Sequence, residues 1–375
     1  MKYSLLKKIY LVIGLLIFII SYTTNISEFV PIENLDIPIA IGYDFESNTT
    51  KNPIYSISIA VYQFLTGSQQ LNTIVINGKA ESVTDTREDR QTKSNKKFIL
   101  GSEKVLLINK EVAEKSIFPI ANTLFNNTYA NDTARVAIIK GDTKEALSFK
   151  VRGYNSGADY IRGMIDSSVN YNFFSDNYKM IDVYTRLEGE GRSIALPYIE
   201  IKDGIFEMTG IGIFNKDKLG YVAHIREAEI INLLRENKVS GIVHLQSKKG
   251  ENTNLDVLTR KKVKCEKQGD KYKFTIDIVL DSDIIENEIY RGVINNPNIT
   301  KKIEKDAEEA VKKPIDKFIN KMKDDIKFDC LELGKVAAAK YGRRTKTDWN
   351  KVVCESDIKV NVKVNLRRIG RGMLK

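Results

Sequence analysis

Through residues 54–65 apolar and polar positions alternate: Tyr55, Ile57, Ile59 and Val61 interleave with Ser56, Ser58 and Ala60. A period of two belongs to a strand with one buried face. Residues 36–45, "DIPIAIGYDF", read as a second strand, and the polar stretch with Pro53 between the two predicts a hairpin. A shorter strand is expected over "NTIVINGKA". Residues 81–97 are very polar and read either as an exposed helix or as a surface loop. From 100 to 150 a strand at 104–108 feeds a helix, and a strand within 132–142 ends at Gly141. A further helix then starts with Asp142 or Thr143 as its N-cap. This alternation implies a mixed sheet with helices on it. Over 151–192 the pattern weakens to short helices and connections, and "EGEGR" (188–192) is a candidate boundary.

After residue 192, three alternating runs are separated by Lys202-Asp203-Gly204 and Asn215-Lys216-Asp217, which predicts a β-meander. A helix over 226–237 places Ile230, Ile231 and Leu234 on one face. "GIVHLQSK" and "KYKFTIDIVLD" return to strands. A long amphipathic helix over 300–325 turns Ile303, Ala307, Val311, Ile315, Ile319 and Met322 inward, with a kink expected at Pro314. Another helix is expected over 328–341. The terminal strand, "DIKVNVKVNLRRIG", sets Ile358, Val360, Val362, Val364 and Leu366 against Lys359, Asn361, Lys363, Asn365 and Arg367. No internal repeat is present. The expected fold is α+β and multi-domain, with mixed and antiparallel sheets carrying helices. Its divisions are a signal or anchor segment (1–23), an N-terminal α+β part (24–192) and a C-terminal α+β part (193–375).

The 375 residues, 42% hydrophobic and 29% charged, suit folded material for two or three domains. At the N-terminus Lys2, Lys7 and Lys8 precede an uncharged apolar run, 9–20, the layout of an export segment. This changes the meaning of the +10 net charge. Its bases are mostly interleaved with acids, as in "EKDAEEAVKK", so an anionic membrane is the expected partner and nucleic acid is not. No good small-x-small cleavage site follows; residues 21–23 are a weak one. Counting Leu5, Leu6 and Tyr22, the run reaches about eighteen residues, near the length of a span. Retention as an anchor, lysines inside and body outside, is the expectation; cleavage after Thr23 is its competitor.

The candidate chemistry is sparse. The two histidines, His224 and His244, lie in strand-like runs and read as sheet residues with local hydrogen bonds. No H-E-x-x-H, G-x-S-x-G or phosphate-loop pattern occurs, and "TGIGIFN" lacks the third glycine of a dinucleotide fingerprint. No cofactor or metal and no catalytic residue is therefore assigned. Cys265, Cys330 and Cys354 are odd in number and unpaired in spacing, so inert thiols are expected; a Cys330–Cys354 bridge is the alternative in an oxidising compartment. Asp281 with Asp283, and Asp324 with Asp325, lack calcium-loop spacing and read as turn and helix-end aspartates. "YNFFSDNY" (171–178) suits either a partner surface or a buried aromatic cluster at a junction.

Several segments in order resemble the Ger(x)C family, the C subunits of nutrient germinant receptors of endospore-forming bacteria. They are "LDIPIAIGYDFE", "YSISIAVYQF", "GSEKVLLINKEVAEKSI", "TARVAIIKGDTKEAL", "LPYIEIKDGIFEMTGIGIFNKDKLGYV" with "REAEIINLL" and "SGIVHL", and a lysine-rich helix. The most specific is the end, where Trp349 precedes Val360, Val362, Val364, Arg367, Arg368 and Gly370 in the family's V-x-V-x-V-x-I-R-R-x-G pattern. The resemblance spans about residue 35 to the end. It implies a non-enzymatic subunit on the outer face of the spore inner membrane, working with a multi-pass A subunit and a transporter-like B subunit. Two departures stand out. The lipobox cysteine is missing, since "NISEFVPIENLD" occupies its place, so lipidation by that route is excluded for want of a thiol. Ser102 replaces the family's usual histidine. Within this reading Lys359, Lys363, Arg367, Arg368 and Arg371 form a candidate face toward headgroups or a partner. A stand-alone exported ligand-binding or adhesion protein is the alternative.

Overall fold

The computed structural model describes residues 2–24, 31, 34–46, 53–64, 71–247, 249–269, 271–293 and 296–368. The targeting segment forms one helix, α1 (Lys2–Thr24). Its described side chains, 7–21, are exposed. Among the described residues no helix is long and apolar enough to cross a membrane.

The predicted hairpin is β1 (Leu35–Phe45) and β2 (Tyr55–Phe64), and β3 (Leu71–Ala80) extends it antiparallel. After α2 (Thr86–Gln91) and β4 (Lys97–Phe98), the strands β5 (Val105–Asn109) and β6 (Arg135–Lys140) add in parallel on the other side of β1. Parallel neighbours need crossover connections. Helices α3 (Lys110–Lys115) and α4 (Phe118–Phe125) supply one, and α5 (Thr143–Ser148), α6 (Gly157–Ser168) and α7 (Met180–Leu187) the next. The sheet ends with β7 (Ala195–Lys202), β8 (Ile205–Asn215) and β9 (Lys218–His224), in the order β3-β2-β1-β5-β6-β7-β8-β9 with β4 beside β1. Its central strands are apolar throughout because both faces are covered. Val112, Ile120 and Val183 pack on one face, and Leu147, Ile161 and Ile165 on the other.

Helix α8 (Ile225–Arg235) leads to a second sheet of β10 (Ser240–Gln246), β11 (Asn252–Gln268), β12 (Lys271–Asn287) and, after three helices, β13 (Asp357–Arg368). The helices are α9 (Pro297–Lys321), α10 (Leu333–Tyr341) and α11 (Trp349–Glu355). All six predicted inward residues of the long helix are buried. Pro314 sits inside α9 without ending it, and the helix passes into a π turn at Met322–Ile326. The fold is α+β with mixed sheets, as expected.

Four details differ from the sequence reading. The polar stretch 81–97 is mostly surface loop, but its short helix α2 buries Thr86 and Arg90 against β3. The helix expected over 328–341 starts only at Leu333, because Asp329 turns its carboxylate back to accept the Leu331 and Gly334 backbone N–H groups. Strand β11 was not anticipated. The sheet also runs across residue 192, since the meander β7–β9 joins the first sheet through β6. One apolar cluster continues from Ile39 in β1 through Ile231 to Phe274 and Val364.

The start of α5 carries a testable pH dependence. Asp142 caps it by accepting the Glu145 N–H at 2.9 Å. Asp44, at the end of β1, accepts the Thr143 N–H at 3.1 Å and hydroxyl at 2.5 Å. Burial outweighs these bonds and pushes the Asp44 carboxyl up to about 6. A raised folded pKa means stability that is full below the ordinary carboxylate value and lost as pH rises through about 6. Asp44→Asn is therefore expected to gain stability relative to the wild type between pH 4.5 and 7, read as urea midpoints across that range. A constant difference would remove Asp44 as the titrating group.

Candidate functional site

The terminal strand places its basic residues on the solvent face of the second sheet. β13 lies parallel to β12 with Lys359 beside Thr275, Lys363 beside Val279 and Asn365 beside Asp281. Across β12, the register brings Arg260 to Val279, Lys262 to Asp277 and Lys264 to Thr275. Even-numbered residues of β11 and odd-numbered residues of β13 thus form one basic plateau, and a bulge between Ser282 and Asp283 brings Arg368 level with Asp283 at its end. Among the described residues Lys262, Lys359, Lys363 and Arg368 are exposed and have no carboxylate partner. Lys264 lies 3.6 Å from Asp277, and Lys273 3.7 Å from Asp357.

The five expected face residues divide into three groups. Lys359, Lys363 and Arg368 are free and exposed. Arg367 is not free: with Arg260, 2.8 Å away, it clamps the Asp281 carboxylate, whose side chain is 3% exposed. Burial acts to raise that carboxyl, but bonds from Arg260 and Asn365 and the two arginine charges hold it below its usual range. Arg371 lies outside the described residues. Asp281 is thus a mid-strand residue and not the turn aspartate expected, and it sets how much of the plateau's charge remains free. Arg260 was missed because β11 was missed.

The outer edge of β13 is closed where it passes α9. Glu308 accepts the Val364 N–H at 3.1 Å and Glu304 the Leu366 N–H at 2.9 Å. Four helical residues advance about 6 Å and two strand residues about 6.6 Å, so carboxylates four apart match amides two apart. A partner strand cannot add there without displacing both glutamates.

The remaining candidates resolve as structure. All three thiols are free, so the bridge between Cys330 and Cys354 is not formed. Burial pushes Cys265 and Cys354 up to about 11 and Cys330 well above the usual thiol range. His244 Nδ1 lies 2.9 Å from Asn254 Oδ1 on the neighbouring strand, and His224 ends β9 at the start of α8. Among the described residues no acid, histidine or cysteine cluster could hold a metal ion. Of the two readings of "YNFFSDNY", the buried one holds for Phe173, Phe174 and Tyr178. Phe173 packs on Gly241 of β10 and donates its N–H to the Ser240 carbonyl at 2.8 Å.

That contact belongs to a polar seam between the two sheets. Arg235, at the end of α8, donates to Ser193 Oγ at 2.7 Å and to the Cys330 carbonyl at 3.0 Å, and pairs with Glu332 at 3.2 Å. Arg186 of α7 also reaches Glu332 at 3.2 Å. Lys321 of α9 meets Glu227 of α8 and the Tyr221 hydroxyl of β9, both at 2.7 Å. These bonds make the second sheet a fixed platform, with its basic face outward.

Against known proteins, residues 28–201 match the family described as "Spore germination protein N-terminal domain", and residues 209–370 match "Spore germination B3/ GerAC like, C-terminal". The chain is 22% identical over 331 residues to the spore germination protein GerQC of Bacillus cereus, covering 88% of this chain and 89% of that one. Its fold is similar to the crystal structure of the GerBC protein, with a TM-score of 0.56 and 14% identity, over 88% of this chain and 98% of that one. The two matches divide inside the β7–β8 hairpin, where the sheet is continuous. With both parts matched in order along nearly its whole length, the chain belongs to the Ger(x)C family of spore germination proteins, C subunits of germinant receptors and not enzymes.

Proposed function

We propose that this chain is the extracytoplasmic C subunit of a nutrient germinant receptor at the spore inner membrane. It binds a multi-pass A subunit and a transporter-like B subunit and stabilises their assembly for signalling. The observation that carries this reading is the plateau of Lys262, Lys359, Lys363 and Arg368, four cations without acid partners among the described residues. A rigid basic surface complements anionic headgroups or an acidic subunit surface. In this reading the run 5–22 of α1 is retained and holds the plateau near that surface without a lipid, although among the described residues α1 falls short of the length and apolarity of a spanning helix. Of the parts 1–23, 24–192 and 193–375, the first would carry the targeting role through α1 and the last the docking role through its second sheet, while its strands β7–β9 complete the first sheet.

Affinity purification of the tagged protein from spore membranes tests this. The wild type is expected to bring down multi-pass subunits and to keep a first residue before Thr24. Charge reversal of Lys359, Lys363 and Arg368 to Glu is expected to lower recovery of those subunits at least fivefold without changing the thermal midpoint. Recovery of the chain alone would overturn the subunit reading in favour of a stand-alone exported protein. Unchanged recovery by the reversed variant would overturn the role of the plateau.

A further inference from the structure

A second basic site lies at the seam, away from the plateau. A cleft of about 600 Å³ opens between the β8–β9 turn and the segment from the π turn to α11. Lys216, Lys218, Lys323, Lys327 and Lys351 line it. The carboxylates that share the wall are already engaged within the fold. Asp217 accepts the Ser116 hydroxyl at 2.5 Å, Asp348 caps α11 through the Lys351 N–H at 3.3 Å, and Glu355 sits 3.9 Å from Lys351. Lys323 donates to the Ser356 carbonyl at 2.9 Å. Among the described residues Lys216, Lys218 and Lys327 have no such partner and are exposed.

The walls are held in place. The Ile117 N–H donates to the Asp217 carbonyl at 2.8 Å. Asn350 donates to Asn215 Oδ1 at 3.0 Å and accepts the Asp329 N–H at 3.1 Å. Two of the free lysines also occupy backbone conformations that favour glycine. Lys216 has φ 59° in the β8–β9 turn, and Lys327 has φ 62° where it closes the π turn. A side-chain-bearing residue is strained there, and glycine or asparagine is the usual occupant. Lys238, Arg344 and Lys346 are also left-handed cations, but Lys216 and Lys327 are the two that line one cleft together.

We infer that this cleft binds a small anion carrying two or more negative charges on phosphate or carboxylate groups. Its volume falls within the ~300–1,000 Å³ of small-molecule pockets. Three free ammonium groups match a diphosphate or tricarboxylate in charge. The inference does not depend on the receptor reading.

The variant Lys216→Gly with Lys327→Gly separates binding from folding, because it removes both charges while relieving both strained positions. Titration of the full-length protein in neutral detergent with pyrophosphate and with citrate is expected to show 1:1 binding that weakens with added salt. The double variant should bind at least tenfold more weakly, with an unliganded thermal midpoint equal to or above the wild type. A parallel arm measures binding to vesicles with and without phosphatidylglycerol. If the variant loses only vesicle binding, the anion is a lipid headgroup; if it loses pyrophosphate or citrate binding, the anion is a free solute. If neither changes, or neither is bound at millimolar concentration, the inference fails.

Discussion

Replacing Arg235 by methionine is expected to destabilise the protein by about 3–5 kcal/mol, the range for breaking a buried ion pair from one side. Arg235 is 1% exposed at its side chain, and its guanidinium serves Ser193, Cys330, Glu236 and Glu332 at once. Methionine fills much of the volume but leaves the Glu332 carboxylate, 7% exposed, with Arg186 and Lys335 as its partners. The charges of Arg235 and Arg186 overcome the effect of burial and hold the Glu332 carboxyl down to about 2. A lowered folded pKa contributes stability above the ordinary carboxylate value and loses it as pH falls toward 2. The wild type should therefore lose stability between pH 4.5 and 2, and Arg235→Met should lose less of it there. Urea unfolding followed by fluorescence of Trp349, the single tryptophan, reads both effects. Adding Glu332→Gln should recover part of the loss through the coupling between the two sites. A loss under 1 kcal/mol for Arg235→Met would show that the two sheets do not depend on this seam.

Gly191→Ala is expected to destabilise by more than about 2 kcal/mol, from left-handed backbone strain together with a backbone clash. Gly191 has φ +64°, and a Cβ there would stand 2.2 Å from the Gly334 carbonyl carbon and 2.5 Å from the Lys335 nitrogen. Gly334 is itself hemmed in: a Cβ added there would stand 2.8 Å from the Trp349 Cβ and 3.0 Å from the Gly191 Cα. Gly153→Ala is the control. It has φ +87° but nothing within 4 Å of an added Cβ, so it carries the conformational penalty alone. Denaturant midpoints for the two variants should differ clearly. Equal losses would mean that the linker 188–193 and the start of α10 are not held in contact.

These two positions show why part of the fold was legible and part was not. Strand β2, the meander and β13 follow from side-chain period, which is local. Strand β11 was hidden because two core-facing positions, 259 and 261, carry polar residues. Thr259 accepts the Val239 N–H at 3.1 Å, and Lys261 donates to the Leu234 carbonyl at 2.8 Å, so the chain end of α8 explains both. Burial lowers the Lys261 ammonium to about 8, which marks how far inside it lies. The alternation was broken by partners distant in sequence. The candidate face was legible in β13 alone; its neighbours on β11 and the capture of Arg367 by Asp281 required the register.

By itself, the sequence determined most strands and helices, though not β11, together with the inward face of α9, the basic side of β13 and membership in the Ger(x)C family. Each depends on residues within a few positions of one another or on the order of short motifs. Only the tertiary structure decided that the meander belongs to the first sheet, that Arg235 and the glycine pair join it to the second, and that five lysines from separate segments share one cleft. Those outcomes rest on contacts between residues as far apart as 191 and 334, and no local period encodes them.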